Sequence, residues 1–356
     1  MKVLALNSSP RSQGQSKTEL MLSHLAEGMK EAGADVEVVN LREKKIKPCS
    51  GCFACWTKTP GVCIHKDDMS AELFDKYRRS DMAVFASPLY HYSLNSVMKK
   101  FIERTLPMNE PFFVEHQGRT HHPVRYPYPK TVILSVAGFH EPEIFGPLSV
   151  WANYVYKHVL AAEIYRPGAE AMAAARHGKK VKEILAATVQ AGKELTETGQ
   201  ISSATMDKIC QQTISDLDNW SVVANLVWKT CIAEGITIKE FDERKVVPRP
   251  DDINSFMQIM AMAFNPEAAG EINACIKFVF SGEVAGCCHL AIENGRVRGL
   301  AGDPQTADLT VYTPFETWMD ILTGKADGPA LFLENKYSAE GDIDLLADLG
   351  RIFGRP

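Results

Sequence analysis

The sequence predicts two successive domains: a doubly wound α/β domain on a parallel sheet, then a smaller α+β domain. Three observations predict this. Continuous apolar runs alternate with helix-period stripes early in the chain, the signature of strand–helix–strand crossovers. After a charged stretch with two prolines, the texture changes to short strands with an Asn294-Gly295 hairpin signal. The 356 residues also exceed what one ordinary core takes up.

Each element has its own reason. "KVLAL" is continuous and apolar, as a strand buried on both faces must be. Met21, Leu25 and Met29, flanked by Leu22 and Ala26, form one helical stripe. "AGADVEVVNL" reads as a glycine-marked helix end and a second strand, "DMAVFAS" as a third and "KTVILSVAG" as a fourth. Leu94, Val97, Met98, Phe101, Ile102 and Thr105 share one helix face. Between the third and fourth strands, "PMNEPFFVEHQGRTHHPVRYPYPK" is too long for a routine connection and reads as a lid, a surface excursion or an oligomer contact. His121 and His122, being adjacent, take no metal role. From Glu143 to about Gly235 the pattern is helical, and "KEFDERKVVPRPDD" reads as a linker. The domains expected are therefore 1–235 and 251–356, joined by 236–250. Beyond the linker, "NACIKFVFSG", "CCHLAIENGRVRGL" and "ADLTVYT" are strand-like, and Thr313, Pro314 and Glu316 predict a capping box opening a helix.

Composition narrows the function. A formal net charge of −5 leaves no basic footprint for nucleic acid. No stretch is long and apolar enough to span a bilayer, and the opening apolar run is too short for a signal peptide, so a cytoplasmic location is expected. In a reducing compartment, clustered cysteines point to metal or redox chemistry rather than to disulfides.

Ligands of an open parallel sheet bind at the carboxyl ends of its strands. The loop leaving the first strand, "NSSPRSQGQSKT", offers hydroxyls on Ser8, Ser9, Ser16 and Thr18, the Arg11 guanidinium, and the start of a helix. Those groups accept phosphate, although serines there could equally just cap the helix. The loop after the third strand sets Pro88, Leu89, Tyr90 and His91 where a flat aromatic ring needs a wall. Ala137 and Gly138, in a third loop, allow close backbone approach.

These residues resemble the NAD(P)H-dependent FMN reductases of the flavodoxin-like superfamily, with S-P-R-x-x-G-x-[ST] in the phosphate loop, P-x-Y in the ring loop, and Lys100, Phe101, Ile102, Glu103 and Arg104 in the helix behind it. The resemblance implies that Ser9, Arg11, Ser16, Thr18 and Lys17 hold the FMN phosphate. It places Pro88, Leu89, Tyr90 and His91 against the ring and ribityl chain, with Ala137 and Gly138 opposite. Hydride transfer from NADPH or NADH would belong to the cofactor, so no catalytic acid or base is assigned. Such relatives commonly bury the flavin at a dimer interface, so the resemblance implies a homodimer or tetramer.

Cys49, Cys52, Cys55 and Cys63 read CxxCxxCx7C, a poor zinc pattern but one that suits a compact cluster. The spacing, with "KDDM" after it, is similar to that of iron-sulfur flavoproteins, which implies a [4Fe-4S] cluster; thiols that merely shape the loop beside the flavin are the alternative. Cys210, Cys231 and Cys275 read as small buried hydrophobes, and Cys287 and Cys288 point to opposite faces of a strand.

From Asp251 on, "FNPEAAG", "IKFVFSGE", "LAIENGRV" and the run from "ADLTVYTPFETW" to the terminal helix resemble the sterol carrier protein 2 (SCP2) family. That resemblance implies an apolar tunnel for a lipid or fatty acyl chain. Phe315, Trp318, Met319, Leu322, Leu331 and Phe332 would line core or tunnel. The expected function is an FMN-dependent NAD(P)H oxidoreductase fused to this module, passing electrons to a small-molecule or protein acceptor. The alternatives are a ferredoxin-linked electron carrier without nicotinamide activity, and a lipid binder with a non-catalytic flavodoxin half.

Overall fold

The computed structural model describes residues 1–12, 14–116, 118–173, 178–213 and 217–354. The chain forms two compact units, Met1–Ser215 and Asp216–Pro356.

In the first unit the strands are β1 (Lys2–Asn7), β2 (Asp35–Asn40), β3 (Met82–Tyr90), β4 (Lys130–Val136) and β5 (Leu160–Arg166). All are parallel, in the order β2-β1-β3-β4-β5, the flavodoxin-like doubly wound arrangement. Alternate residues of β3 feed two cores. Met82, Val84 and Ala86 pack toward helices α1 (Lys17–Glu31) and α4 (Gly178–Glu197); Ala83 and Phe85 pack toward α2 (Ser96–Glu103) and α3 (Gly146–Tyr156). Helices α1 and α4 cross at glycines. A Cβ on Gly28 would lie 1.8 Å from the Val189 carbonyl oxygen, and one on Gly192 would lie 2.2 Å from that of Leu25. Only residues without side chains let the two backbones approach this closely.

Strand β5 lies inside the stretch expected to be helical throughout. "LAAE" has helical propensity, but pairing along β4 overrides it and completes the sheet.

The second unit begins earlier than the expected boundary. Helix α6 (Leu217–Glu234), which follows the short α5 (Ser203–Cys210), buries Val223 and Leu226 against Ile259 of α7 (Ile253–Ala263) and against Leu322. The stretch read as a linker contains a helical turn, Ile238–Glu243, opened by a Thr237–Glu240 capping box. A sheet of β6 (Ala274–Ser281), β7 (Gly286–Glu293), β8 (Arg296–Ala301), β9 (Leu309–Pro314) and β10 (Ser338–Gly341) follows, in the order β8-β7-β6-β9-β10. Only the β6–β9 pair is parallel. Helices α7, α8 (Phe315–Leu322) and α9 (Ile343–Ile352) contribute to its core. The capping box expected at Thr313 does not form: Pro314 is the N-cap, with no side-chain cap, and the Thr313 hydroxyl donates to the Pro314 carbonyl. Phe315, Trp318 and Met319 are buried in this core, and Leu322, Leu331 and Phe332 pack against it half-buried. Among the described residues no helix is long and apolar enough to cross a membrane.

Candidate functional site

Three loops at the carboxyl ends of β1, β3 and β4, joined by a fourth segment beyond β5, meet in one cleft of about 90 Å3. It is lined by Ser9, Arg11, Ser16, Lys17, Thr18, Pro88, Leu89, Tyr90, Val136, Ala137, Gly138, Ala169 and Glu170. Every residue expected to hold a mononucleotide is there except His91. That side chain is exposed at the tip of a two-residue turn, where His91 and Tyr92 both adopt positive φ (47° and 59°) and fold Ser93–Leu94 back onto the end of β3.

The phosphate loop is tied down from several sides. Ser9 N–H donates to Asn7 Oδ1 (3.0 Å), Arg11 N–H donates to Ser9 Oγ (3.3 Å), and the Ser8 hydroxyl donates to the Ala86 carbonyl (3.1 Å). Ser16 caps α1 by accepting from Glu19 N–H (3.0 Å). The N–H groups of Lys17 and Thr18, at the first positions of that helix, have no intrahelical acceptor and stand beside the cleft. Donors, a helix N-terminus and a guanidinium together suit a phosphate monoester.

Two residues essential to this geometry have no motif to announce them. Buried Asn95 donates from Nδ2 to the Ser8 carbonyl (2.7 Å) and accepts from Met98 N–H (3.1 Å), and its own N–H donates to Ser87 Oγ (3.0 Å). One side chain thus caps α2 and locks the phosphate loop to the ring loop. Glu170, beyond β5, forms an ion pair with Arg11 at 2.9 Å, both groups being about half exposed.

The cysteine loop is the second candidate site. All nine cysteines are free; within the loop Cys55 is buried, Cys49 and Cys63 are half-buried and Cys52 is exposed. Gly51 and Phe53 take positive φ (64° and 53°), turning the chain on either side of the second thiol, Cys52. The Ala54 N–H and the Ser50 hydroxyl donate toward Cys52 and pull its thiol below the usual range. Burial, then the neighbouring Cys63 and Cys49, push the Cys55 thiol up. Among the described residues no three cysteine, histidine or carboxylate groups converge as ligands of a single ion do. Cys55 thus interacts electrostatically with each of the other three thiols, and a set of four cysteines in one loop is a donor set of the kind that iron-sulfur clusters use.

The long excursion covers this loop. Trp56 packs against His122 with ring centroids 4.6 Å apart and planes tilted by 50°, and its Nε1 donates to the Leu106 carbonyl (3.2 Å). Arg125 donates to the carbonyls of Cys55 (3.4 Å) and Pro107 (3.1 Å). Below it, Arg104 and Asp67 form an ion pair whose side chains are 1% and 2% exposed. Burial works against the Asp67 carboxylate, but bonds from Arg104 and from the N–H groups of Lys47 and Ser70 outweigh it, and its pKa falls to about 2.

Residues 1–120 match the family described as NADPH-dependent FMN reductase, and residues 257–354 match the SCP-2 sterol transfer family. An iron-sulfur flavoprotein of Archaeoglobus fulgidus is 37% identical over 107 residues, 30% of this chain and 46% of the relative. The chain therefore spans about half the length of the curated relatives it matches. Among solved structures, the NAD(P)H:quinone oxidoreductase from Methanothermobacter marburgensis covers 55% of this chain and 96% of its own, at 20% identity and a TM-score of 0.41. Sterol carrier protein 2 from Yarrowia lipolytica covers 29% of this chain and 95% of its own, at 16% identity and a TM-score of 0.25.

Proposed function

We propose that the first unit is an FMN-dependent oxidoreductase using NADPH or NADH, that Cys49, Cys52, Cys55 and Cys63 hold a [4Fe-4S] cluster, and that the second unit binds an apolar ligand. The observation that carries this reading is the convergence of three loops, distant in sequence, on one cleft lined both by Ser9, Arg11, Ser16 and Thr18 and by Pro88, Leu89 and Tyr90. The match of residues 1–120 to an FMN reductase family supports it. The relatives named iron-sulfur flavoprotein support the cluster.

FMN supplies hydride and single-electron chemistry when bound. The chain's part is to hold and orient it. Ser9, Arg11, Ser16, Thr18 and the first N–H groups of α1 grip the phosphate, with Lys17 beside them. Pro88, Leu89 and Tyr90 wall one side of the ring, and Gly138, bearing no side chain, lets the opposite edge approach the backbone. Arg11 must exchange its Glu170 partner for the phosphate. The excursion over Cys55 keeps water from the buried part of the cysteine loop. The acceptor, a small molecule or a protein, and assembly as a homodimer or tetramer belong to the same proposal.

The test is an absorption spectrum of anaerobically purified full-length protein, with iron and sulfide analysis, followed by stopped-flow mixing with NADPH. Flavin bands that bleach on mixing are expected, over a broad cluster absorbance. A colourless protein indifferent to added FMN refutes the flavin assignment; flavin reduced only by a one-electron donor refutes nicotinamide use. Displacement of a fluorescent fatty acid from the full chain tests the second unit.

A further inference from the structure

Arg104, just past the end of α2, is buried and almost fully engaged. Its Nη1 donates to Asp67 Oδ2 (2.6 Å) and the Lys47 carbonyl (2.8 Å); its Nη2 donates to Asp67 Oδ1 (3.1 Å) and Ser70 Oγ (3.0 Å). The Nε–H, equally buried, has no hydrogen-bond acceptor. Buried donors are rarely left this way, so an orphan asks for an explanation. Cys63 is close enough to the same guanidinium to interact with it electrostatically. A thiol is a weak acceptor, whereas a thiolate is a strong one.

We propose that Arg104 is a positioning residue for the cysteine loop, held by Asp67 so that it donates an N–H to the Cys63 sulfur when that sulfur is an iron-bound thiolate. The inference rests on the cluster reading above. It accounts for the fourth cysteine, which the CxxCxxC turn cannot position because seven residues separate Cys63 from Cys55. It also explains why a charge is spent in the interior: Asp67 fixes the planar fork and cancels its long-range field, leaving a directed donor at the sulfur. Such a donor favours the more negative, reduced cluster and so raises its reduction potential.

The experiment uses the full chain, purified anaerobically. Arg104→Lys keeps the charge and its Asp67 partner but loses the fork. Asp67→Asn combined with Arg104→Gln replaces the ion pair with a neutral one and guards against a variant that fails to fold. Retained FMN and an unchanged circular dichroism spectrum mark a variant as folded, because Arg104 does not line the flavin cleft. EPR-monitored titration should then show a lower cluster potential in both, by about tenfold in the reduction equilibrium, or ~59 mV for one electron. Iron retained after incubation with a chelator should fall as well. Folded variants with the wild-type potential and iron retention overturn the assignment alone. A wild type without iron overturns the cluster and the assignment together, while flavin binding would still stand or fall by its own spectrum.

Discussion

Under the proposed function Asn95 links stability to cofactor binding, and its removal has a magnitude that follows from its contacts. It is 4% exposed, so its bonds to the Ser8 carbonyl and from Met98 N–H are made out of water. Asn95→Ala deletes a helix cap, about 1 kcal/mol, and strands a buried carbonyl, about 1–3 kcal/mol. The sum is about 2–4 kcal/mol, and in a unit of this size each kcal/mol lowers Tm by about 2–4 °C. Asn95→Ser separates the two effects, since a hydroxyl still caps the helix but is too short to reach Ser8. The serine variant should therefore recover only the cap, about 1 kcal/mol, while the Ser8 carbonyl stays stranded and the loop is released. Losing about 1.4 kcal/mol of preorganisation corresponds to a tenfold rise in the Kd for FMN. Quenching of flavin fluorescence on titration into apoprotein, with calorimetry on the same samples, measures both quantities. If Asn95→Ser binds FMN as tightly as the wild type, the loop is not held by this residue and the reasoning fails.

Three other outcomes are expected. Glu170→Gln removes the competitor for Arg11, and because exposed pairs contribute about 0.2–1 kcal/mol, FMN affinity should rise by up to about fivefold at low salt; a fall would show that Glu170 helps to bind the cofactor. Gly28→Ala puts a methyl group 1.8 Å from the Val189 carbonyl oxygen, so urea unfolding should show a loss of about 3 kcal/mol or more, and a variant of wild-type stability would mean that α1 and α4 can separate. Asp67 titrates near 2 when folded against 3.8 ordinarily, a depressed value, so its contribution of about 2 kcal/mol is full above the ordinary value and lost as pH falls toward 2. Asp67→Asn, which leaves Arg104 unpaired, should be several kcal/mol less stable at pH 7, with the gap to wild type closing by about 2 kcal/mol between about pH 5 and pH 2; a pH-independent gap contradicts the assignment.

What could be read in advance was what local pattern encodes. Strands β1, β3 and β4 carry continuous apolar runs, and the rule that ligands gather at their carboxyl ends selects Ser9, Arg11, Pro88, Tyr90 and Gly138 from three separate loops, all of which line the one cleft. Strand β5 was hidden because Leu160, Ala161, Ala162 and Glu163 favour a helix until a neighbouring strand pairs with them. Asn95, Glu170 and the Arg104–Asp67 pair act across 87, 159 and 37 residues, distances at which no periodicity connects two positions. His91 does not line the cleft for a different reason: its type fits a ring wall, but it sits exposed at the tip of a two-residue turn, a position its residue type does not announce. The excursion's hold on Trp56 and Cys55 was equally invisible, since proline and aromatic content mark an irregular segment without saying what it covers.

Helix α6 has a practical corollary for anyone dissecting the gene. Scissors placed at the charged, proline-bearing stretch would amputate it, stripping Ile259 and Leu322 of the cover that Val223 and Leu226 provide. The excised fragment would then show grease to water, and its clumping could be misread as intrinsic stickiness or as lipid capture. A faithful subclone starts at Asp216, twenty residues ahead of where the composition changes.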